Sequence, residues 1–262
     1  MKKIFILAAA LILAIGASAQ SSWRMGITAG TFGNHPQFNG GMVNASALFT
    51  PSPYHAGGLG VVFRKTLNNH LSFQTGLNFS SLGFEYAMAR DYNLTRPFEH
   101  YMVNKVRLGL ATIPATLIWN FNPNCRNVRW FVGGGLSLVS HGKNDQSKNV
   151  QANSDDQQAL GLNAGDYLSQ TVTSNSFTVL NGHLMGGLEK MMKKGGMWSL
   201  ALWLNRGFTP VAYSDVTYSV NGMMYSHSFK NYNSYAGLTL TYYFKNFKGK
   251  VKPATAAPAS VK

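Results

Sequence analysis

Little in this chain is spaced for chemistry. His183 falls midway along an alternating run, on its polar side, where a lone imidazole serves far more often in a hydrogen-bonded network than as a catalyst. Serine and aspartate are plentiful, yet no spacing singles out a nucleophile, a base and an acid. The segment 141–176 holds Asp145, Asp155, Asp156 and Asp166 among many Asn and Gln, an oxygen-rich set of the kind that ligates calcium. It lacks the spacing of an EF-hand or of a calcium-binding repeat, so it reads as a solvated, mobile loop. Gly133, Gly134 and Gly135 match no phosphate-binding loop and read as relief of steric crowding. The single Cys125 excludes an internal disulfide and is expected as an unpaired thiol in a turn. The chain is therefore expected to carry no catalytic, cofactor-binding or metal-ligating residue, to need no cofactor, and not to be an enzyme.

The regularity lies in eight stretches that read as β-strands, at 23–32, 57–65, 70–86, 103–120, 129–140, 177–190, 197–206 and 235–244. The gaps between them alternate. Those at 33–56, 87–102, 141–176 and 207–234 are long, and those at 66–69, 121–128 and 191–196 are short. A soluble sandwich has no reason to sort its loops by parity, whereas a barrel in an outer membrane has short periplasmic turns and long outer loops. The expected fold is all-β, an eight-stranded antiparallel up-and-down transmembrane β-barrel. Closure is required because lipid cannot satisfy a free sheet edge. Residues 41–49 could add strand length above the membrane.

Alternation assigns the faces. In the third strand Leu71, Phe73, Leu77 and Phe79 oppose Ser72, Gln74, Gly76, Asn78 and Ser80. The same parity gives a lipid belt that includes Leu71, Phe73, Leu77, Leu184, Leu200, Leu202, Leu238 and Leu240. The other face is rich in Gly, Ser, Thr and Asn and would make a poor soluble core, so it should face a narrow lumen. Trp23, Phe63, Trp119, Trp130, Trp198 and Phe244 all end the apolar face on the short-turn side, as a periplasmic aromatic girdle would. Tyr86, Tyr101 and Phe208 are the candidates for an outer girdle. Pro114 cannot donate to a ladder and a closed barrel has no edge, so a bulge or a local break is expected there. Lys105 and Arg107 share the lipid-facing parity and should lie above the bilayer, because a spanning strand needs only about 9–11 residues.

Several of these segments resemble a known family. The run Y-H-A-G-G-L-G-V-V-F-R-K-T-L-N-N-H-L-S-F-Q-T-G-L-N-F-S-S-L-G-F (54–84) is similar to the second and third strands of the porin-like outer-membrane β-barrel family, of the small OmpA/OmpX type. L-A-T-I-P-A-T-L-I-W-N-F (110–121) resembles its fourth strand, with Pro114 at the matching place. R-W-F-V-G-G-G-L-S-L (129–138) resembles its following glycine-rich strand, and L-T-L-T-Y-Y-F (238–244) its aromatic-terminated last strand. The resemblance implies assembly into an outer membrane and leaves activity open, because such families graft different functions on one scaffold. The chain departs from the pattern in continuing past Phe244.

The ends carry addresses rather than core. Lys2 and Lys3, the apolar run 4–15 and Ala17-Ser18-Ala19 read as an export signal over 1–19 cleaved after Ala19. The barrel domain is expected over 20–244, and the Ala/Pro-rich remainder, 245–262, as a disordered basic periplasmic tail. The formal charge is +14, and the topology assigns thirteen bases against Glu189 alone to the periplasmic side, leaving eight bases and eight acids outside. Anionic inner-leaflet lipid or cell-wall polymer is the expected partner of that side, besides the outer-membrane lipid around the barrel; nucleic acid is excluded for an exported protein. Arg24, Arg64 and Glu189 share inward parity at one periplasmic level, and a confined unpaired charge is costly, so they are expected to form a luminal ion cluster. An eight-stranded interior is just wide enough for side chains to fill. The expected function is that of an integral outer-membrane, non-enzymatic barrel with a surface-binding or structural role through its long loops. The alternatives are a narrow porin-like channel, or a barrel enzyme acting on lipid or peptide at the outer rim.

Overall fold

The computed structural model describes residues 23–34, 41–42, 47–52, 54–90, 100–122, 128–142, 144–174, 178–193 and 195–244; the segments expected as export signal (1–19) and tail (245–262) and Cys125 lie outside them. In chain order the strands are β1 (Trp23–Asn34), β2 (Gly41–Met42), β3 (Ala47–Ser52), β4 (Tyr54–Thr66), β5 (Leu71–Arg90), β6 (His100–Asn120), β7 (Arg129–His141) and β8 (Asn144–Gln151). A helix, α1 (Ser154–Leu160), precedes β9 (Tyr167–Ser174), β10 (Thr178–Met191), β11 (Met197–Gly207), β12 (Pro210–Val220), β13 (Met223–Tyr232) and β14 (Tyr235–Tyr243).

Eight of these close a ring in the order β1, β4, β5, β6, β7, β10, β11, β14, with every neighbour antiparallel and β14 returning to β1. They are the eight strands expected from the sequence. The connections at 67–70 and 192–196 are tight turns at one end of the ring. In the first, the Asn68 side-chain oxygen accepts from the backbone N–H of His70 (2.9 Å) and Leu71 (2.7 Å), which fixes the turn without help from a long loop. Both termini of the ring sit at that end, where the Phe244 N–H donates to the Met25 carbonyl over 2.8 Å.

The pleat sorts side chains as the alternation requires. Leu184, Leu200, Leu202, Leu238 and Leu240 are exposed on the outer face, while Leu71, Phe73 and Leu77 are half-buried there among neighbours. At Pro114 the β5–β6 ladder is interrupted opposite Gly76 and Leu77 and resumes in the same register, so the proline produces a local break and no bulge. A Cβ on Gly135 would collide with the Ala115 carbonyl oxygen, so the glycine there permits close approach of β6 and β7.

The long connections depart from the sequence reading. The segment 141–176 is not a bare loop: β8 and β9 pair along their lengths and enclose α1. The 207–234 connection is a β12–β13 hairpin turned by Asn221 (φ 53°) and Gly222 (φ 77°), the paired positive φ values of a type I′ turn. β8, β9, β12 and β13 make a second, four-stranded sheet. It packs on the inward face of the long outer halves of β5 and β6, which β2 and β3 widen on one side. The core between the two sheets includes Phe84, Tyr86, Met88, Met102, Val106 and Leu108 from below and Leu168, Val172, Val211 and Val216 from above. Each large apolar side chain buried this way contributes about 1.5–3 kcal/mol. Cross-sheet bonds from the Asn104 amide to the carbonyls of Lys148 (2.8 Å) and Leu168 (3.3 Å) fix the register of the packing.

Candidate functional site

Side-chain bonds cross the lumen at the short-turn end. Arg64 on β4 and Glu189 on β10 stand on diametrically opposite walls of the ring, and Arg64 Nη1 donates to Glu189 Oε1 across the bore. Both are buried, at 5% and 2% exposure, so neither charge is solvated by bulk water. The second guanidinium nitrogen reaches Ser72 Oγ and Asn120 Oδ1, each at 3.4 Å. A second cross-lumen bond runs from the Tyr243 hydroxyl to Gln74 Oε1 (2.5 Å), with the Arg64 guanidinium 5.9 Å from the Tyr243 ring centroid.

Arg24 lies beside Arg64 in the β1–β4 register, but its guanidinium donates to Met191 Sδ at 3.5 Å rather than to the carboxylate. The structure thus brings two of the three charges together and leaves the third adjacent. Arg129, which sequence reasoning passed over, is the cross-strand partner of Glu189 on β7 and shares its inward parity. Ser72, Gln74, Asn120 and Tyr243 were likewise missed as members. Their signal was present, since they carry inward parity near the same end.

Farther along the bore, His183 bridges two strands. Ser137 Oγ lies 2.7 Å from Nδ1 and Thr116 Oγ1 lies 2.8 Å from Nε2, while the Trp203 ring packs at 4.8 Å. With a hydroxyl on each ring nitrogen, His183 ties β10 to β6 and β7 as a hydrogen-bonded clamp. The lumen here is less polar than the sequence suggested: Ile118, Phe131, Met185, Ala201 and Trp203 form a buried apolar cluster inside it. Within the bore remains a cavity of about 40 Å³, lined among others by Thr28, Asn78, Thr112, Ser199 and Thr241, room for a few waters.

The outward aromatics at the short-turn end are accessible. Trp119, Trp130 and Trp198 are exposed, Trp23, Phe63 and Phe244 half-buried, and Trp198 packs against Tyr242 at 4.7 Å. At the other end Phe208 is exposed, but Tyr86 is fully buried in the outer core and cannot be a girdle residue; the Tyr101 side chain lies outside the described set. Lys105 pairs with Glu85 at 2.9 Å, and the Arg107 guanidinium sits 5.4 Å from the Tyr54 ring centroid.

Two of the acids of 141–176, Asp156 and Asp166, hold the local structure, while Asp145 and Asp155 are exposed. Asp156 closes a capping box with Asn153 at the start of α1. Asp166 is buried and accepts from the backbone N–H of Asn163 (2.8 Å), Asn221 (2.7 Å) and Gly222 (3.3 Å) and from the Ser219 hydroxyl (2.9 Å). Burial alone would push its carboxyl up, but these donors outweigh it and hold Asp166 below the ordinary carboxylate range. Among the described residues no group of three or more His, Cys, Asp or Glu could hold a metal ion.

Comparison with known proteins is informative at the level of family. A model for the outer membrane protein beta-barrel domain matches residues 18–213. Among solved structures, the outer membrane protein OprG from Pseudomonas aeruginosa is similar at 10% identity and a TM-score of 0.42, over 86% of this chain and 97% of that one. The Escherichia coli outer membrane protein W is similar at 13% identity and a TM-score of 0.31, over 86% of this chain and 100% of that one. The translocator domain of the autotransporter NalP from Neisseria meningitidis follows at 11% identity and 0.32, over 91% and 95%. No curated protein matches the chain.

Proposed function

We infer the role of this protein from its family and its bore: the chain belongs to the outer-membrane β-barrel proteins and resides in an outer membrane, and the side chains crossing its lumen support a barrel closed to solute. It acts non-enzymatically, presenting its outer β-sandwich for surface binding or for a structural role in the envelope. The observation that carries this reading is the buried Arg64–Glu189 pair spanning the bore, reinforced by Tyr243–Gln74. An ion pair of this kind persists only where water is excluded or every lone pair is satisfied, and it occupies the path a solute would take. Arg24 and Arg129 complete the charge cluster around it. Trp23, Phe63, Trp119, Trp130, Trp198 and Phe244 seat the periplasmic end in the headgroup region, and the basic turns and tail beneath meet anionic lipid or cell-wall polymer. Export uses the signal segment, cleaved after Ala19.

Planar-bilayer recording tests the closed state. The wild-type barrel should be silent, and Glu189→Gln, which leaves Arg64 unpaired, should introduce brief openings. A stable wild-type conductance would replace this reading with the narrow porin-like channel.

A further inference from the structure

An asparagine followed by glycine can modify itself, because no Cβ on the glycine shields its nitrogen from the preceding side chain. The chain holds three such pairs. Asn39-Gly40 lies outside the described residues. Asn181 is wholly buried inside β10, between Ser137 on β7 and Gly207 on β11. Asn221-Gly222 is exposed at the turn of the β12–β13 hairpin, and a Cβ on Gly222 would meet nothing within 4 Å. Asn221 is also the one non-glycine among the described residues with a positive φ.

The folded turn holds this chemistry off. Ring closure needs the Asn221 Cβ and the Gly222 nitrogen nearly eclipsed about the Cα–C bond that joins them. In a type I′ turn the first central residue has ψ of about 30°, which sets those two atoms about 150° apart. Asp166, which is buried, fastens that geometry. Its carboxylate accepts from the backbone N–H of Asn221 and of Gly222 and from the Ser219 hydroxyl. The attacking nitrogen is thus turned away from its target and tied to a carboxylate.

We propose that Asn221-Gly222 is a one-way self-modification site of the upper sheet, and that Asp166 is the latch that sets its rate. When the turn opens, the Gly222 nitrogen attacks Asn221 Cγ. The N–Cγ bond forms, the Cγ–Nδ2 bond breaks, and the proton of the attacking nitrogen leaves with Nδ2 as ammonia. Water then opens the cyclic imide at either carbonyl. The product is aspartate or, with the chain rerouted through the side chain, isoaspartate; nothing is oxidised or reduced. Either product adds a carboxylate beside Asp166, which repels it. Isoaspartate also lengthens the backbone of a two-residue turn by one methylene. Both effects oppose relatching, so the turn that opens and reacts stays open.

Incubating the full-length protein in detergent at neutral pH in heavy-oxygen water, with peptide mapping by mass spectrometry, tests this. Urea-unfolded protein sets the rate of the free chain, in which 181 and 221 should react alike. Folded wild type should gain labelled aspartate and isoaspartate at 221 more slowly than the unfolded chain, and none at 181. Asp166→Asn should speed the reaction at 221 at least about fivefold, because a buried network loses its charged acceptor, and leave 181 unchanged. Hydrogen exchange over 219–224 should be faster in the modified fraction than in fresh protein. Equal rates at 221 in folded and unfolded wild type, or no product at 221 in the folded protein, would overturn the site. An unchanged rate in Asp166→Asn would overturn the latch, and unaltered exchange in the modified fraction would overturn the one-way opening. Should 181 rise together with 221 in that variant, Ser219→Ala, which loosens the same cage by one donor, takes its place, and an unchanged rate at 221 there overturns the latch. The wild-type arms require no variant to fold.

Discussion

Two regions of this molecule use the same strands with opposite polarity. In their lower halves β5 and β6 turn Ser72, Gln74, Asn120 and Thr116 toward the bore and Leu117 and Trp119 outward. In their upper halves the same inward parity carries Leu82, Phe84, Tyr86 and Met88 on β5, and Met102, Val106 and Leu108 on β6, while Lys105 and Arg107 face out. The period of two holds through both halves and shifts only at the far end, between Met88 and Ala89. On β6 what changes is the solvent outside, hydrocarbon below and water above, where Lys105 and Arg107 are exposed; on β5 the outward Glu85, Ala87 and Ala89 are themselves buried. A strand face that meets lipid must be apolar and leaves the polar residues inside; a face that meets water reverses the assignment. The switch, between Ser80 and Leu82 on β5 and between Thr112 and Leu110 on β6, therefore marks the outer edge of the membrane-facing band.

Truncation inside the upper core should give the largest effect. Phe84 is fully buried between the two sheets. Phe84→Ala should cost about 3–5 kcal/mol of the packing of that region. Because the barrel below keeps its own ladder, limited proteolysis should cut 144–174 quickly while the heat-modifiable gel shift of the barrel survives. Loss of both together would show that the regions fold as one unit.

On the lower region the outer face is the sensitive one. Leu202→Arg, at an exposed mid-belt position, should cost about 2–4 kcal/mol, measured by urea unfolding in lipid vesicles. The inward neighbour Ala201 is buried against the luminal cluster. Because a hydroxyl there would meet apolar neighbours, the inward control is Ser199→Ala on the same face, which should cost less than Leu202→Arg. The reverse ranking would contradict the assigned faces.

The Asp166 cage should give an intermediate effect confined to the upper region. Its folded carboxyl titrates below the ordinary value, so its contribution is fully present above about pH 4, the unfolded range, and fades as pH falls through the lowered value. Asp166→Asn should cost about 1–3 kcal/mol, because it removes the charged acceptor from four donors. Hydrogen exchange of β9 and of the Asn221–Gly222 turn should be faster in the variant at neutral pH. The gap between variant and wild type should close in acid; a gap that widened there would reverse the sign.

The sequence spoke unevenly about these regions. The barrel strands were legible because alternation over nine or more residues has one cheap explanation, and because short and long gaps alternate. The upper sheet was hidden by composition. Asn144, Asp145, Asn149, Asn153, Asp155 and Asp156 read as loop, while the apolar set Val150, Leu160, Leu162, Leu168 and Val172 is too sparse to declare a core without its partners on β5 and β6. One local signal was available and passed over: Asn221-Gly222 between two strand-like runs is a strong mark of a tight hairpin. In the bore, parity and level placed Arg64 and Glu189 within reach of each other. Which guanidinium takes the carboxylate depends on position around the ring, since Arg64 faces Glu189 across the diameter and Arg24 does not, and no linear pattern encodes that angle.

The smallest effect locates the boundary between the regions most sharply. Lys105 and Ile113 lie on β6 with the same outward parity, eight residues apart. The Lys105 ammonium is 51% exposed, but its partner Glu85 is only 8% exposed, so Lys105→Leu alone would strand a buried carboxylate. Lys105→Leu combined with Glu85→Gln removes both charges; if the membrane-facing band ended below Lys105, the double variant should change the unfolding free energy in vesicles by no more than about 1 kcal/mol. If the band instead reached Lys105, removing the charges from hydrocarbon should stabilise the barrel by about 2–4 kcal/mol. Ile113→Lys, one short step below the polarity switch, supplies the calibration, since it should destabilise where the double variant is silent. A stabilising double variant would move the membrane edge upward past Leu108, and the inversion of polarity along β5 and β6 would then need a cause other than the change of solvent.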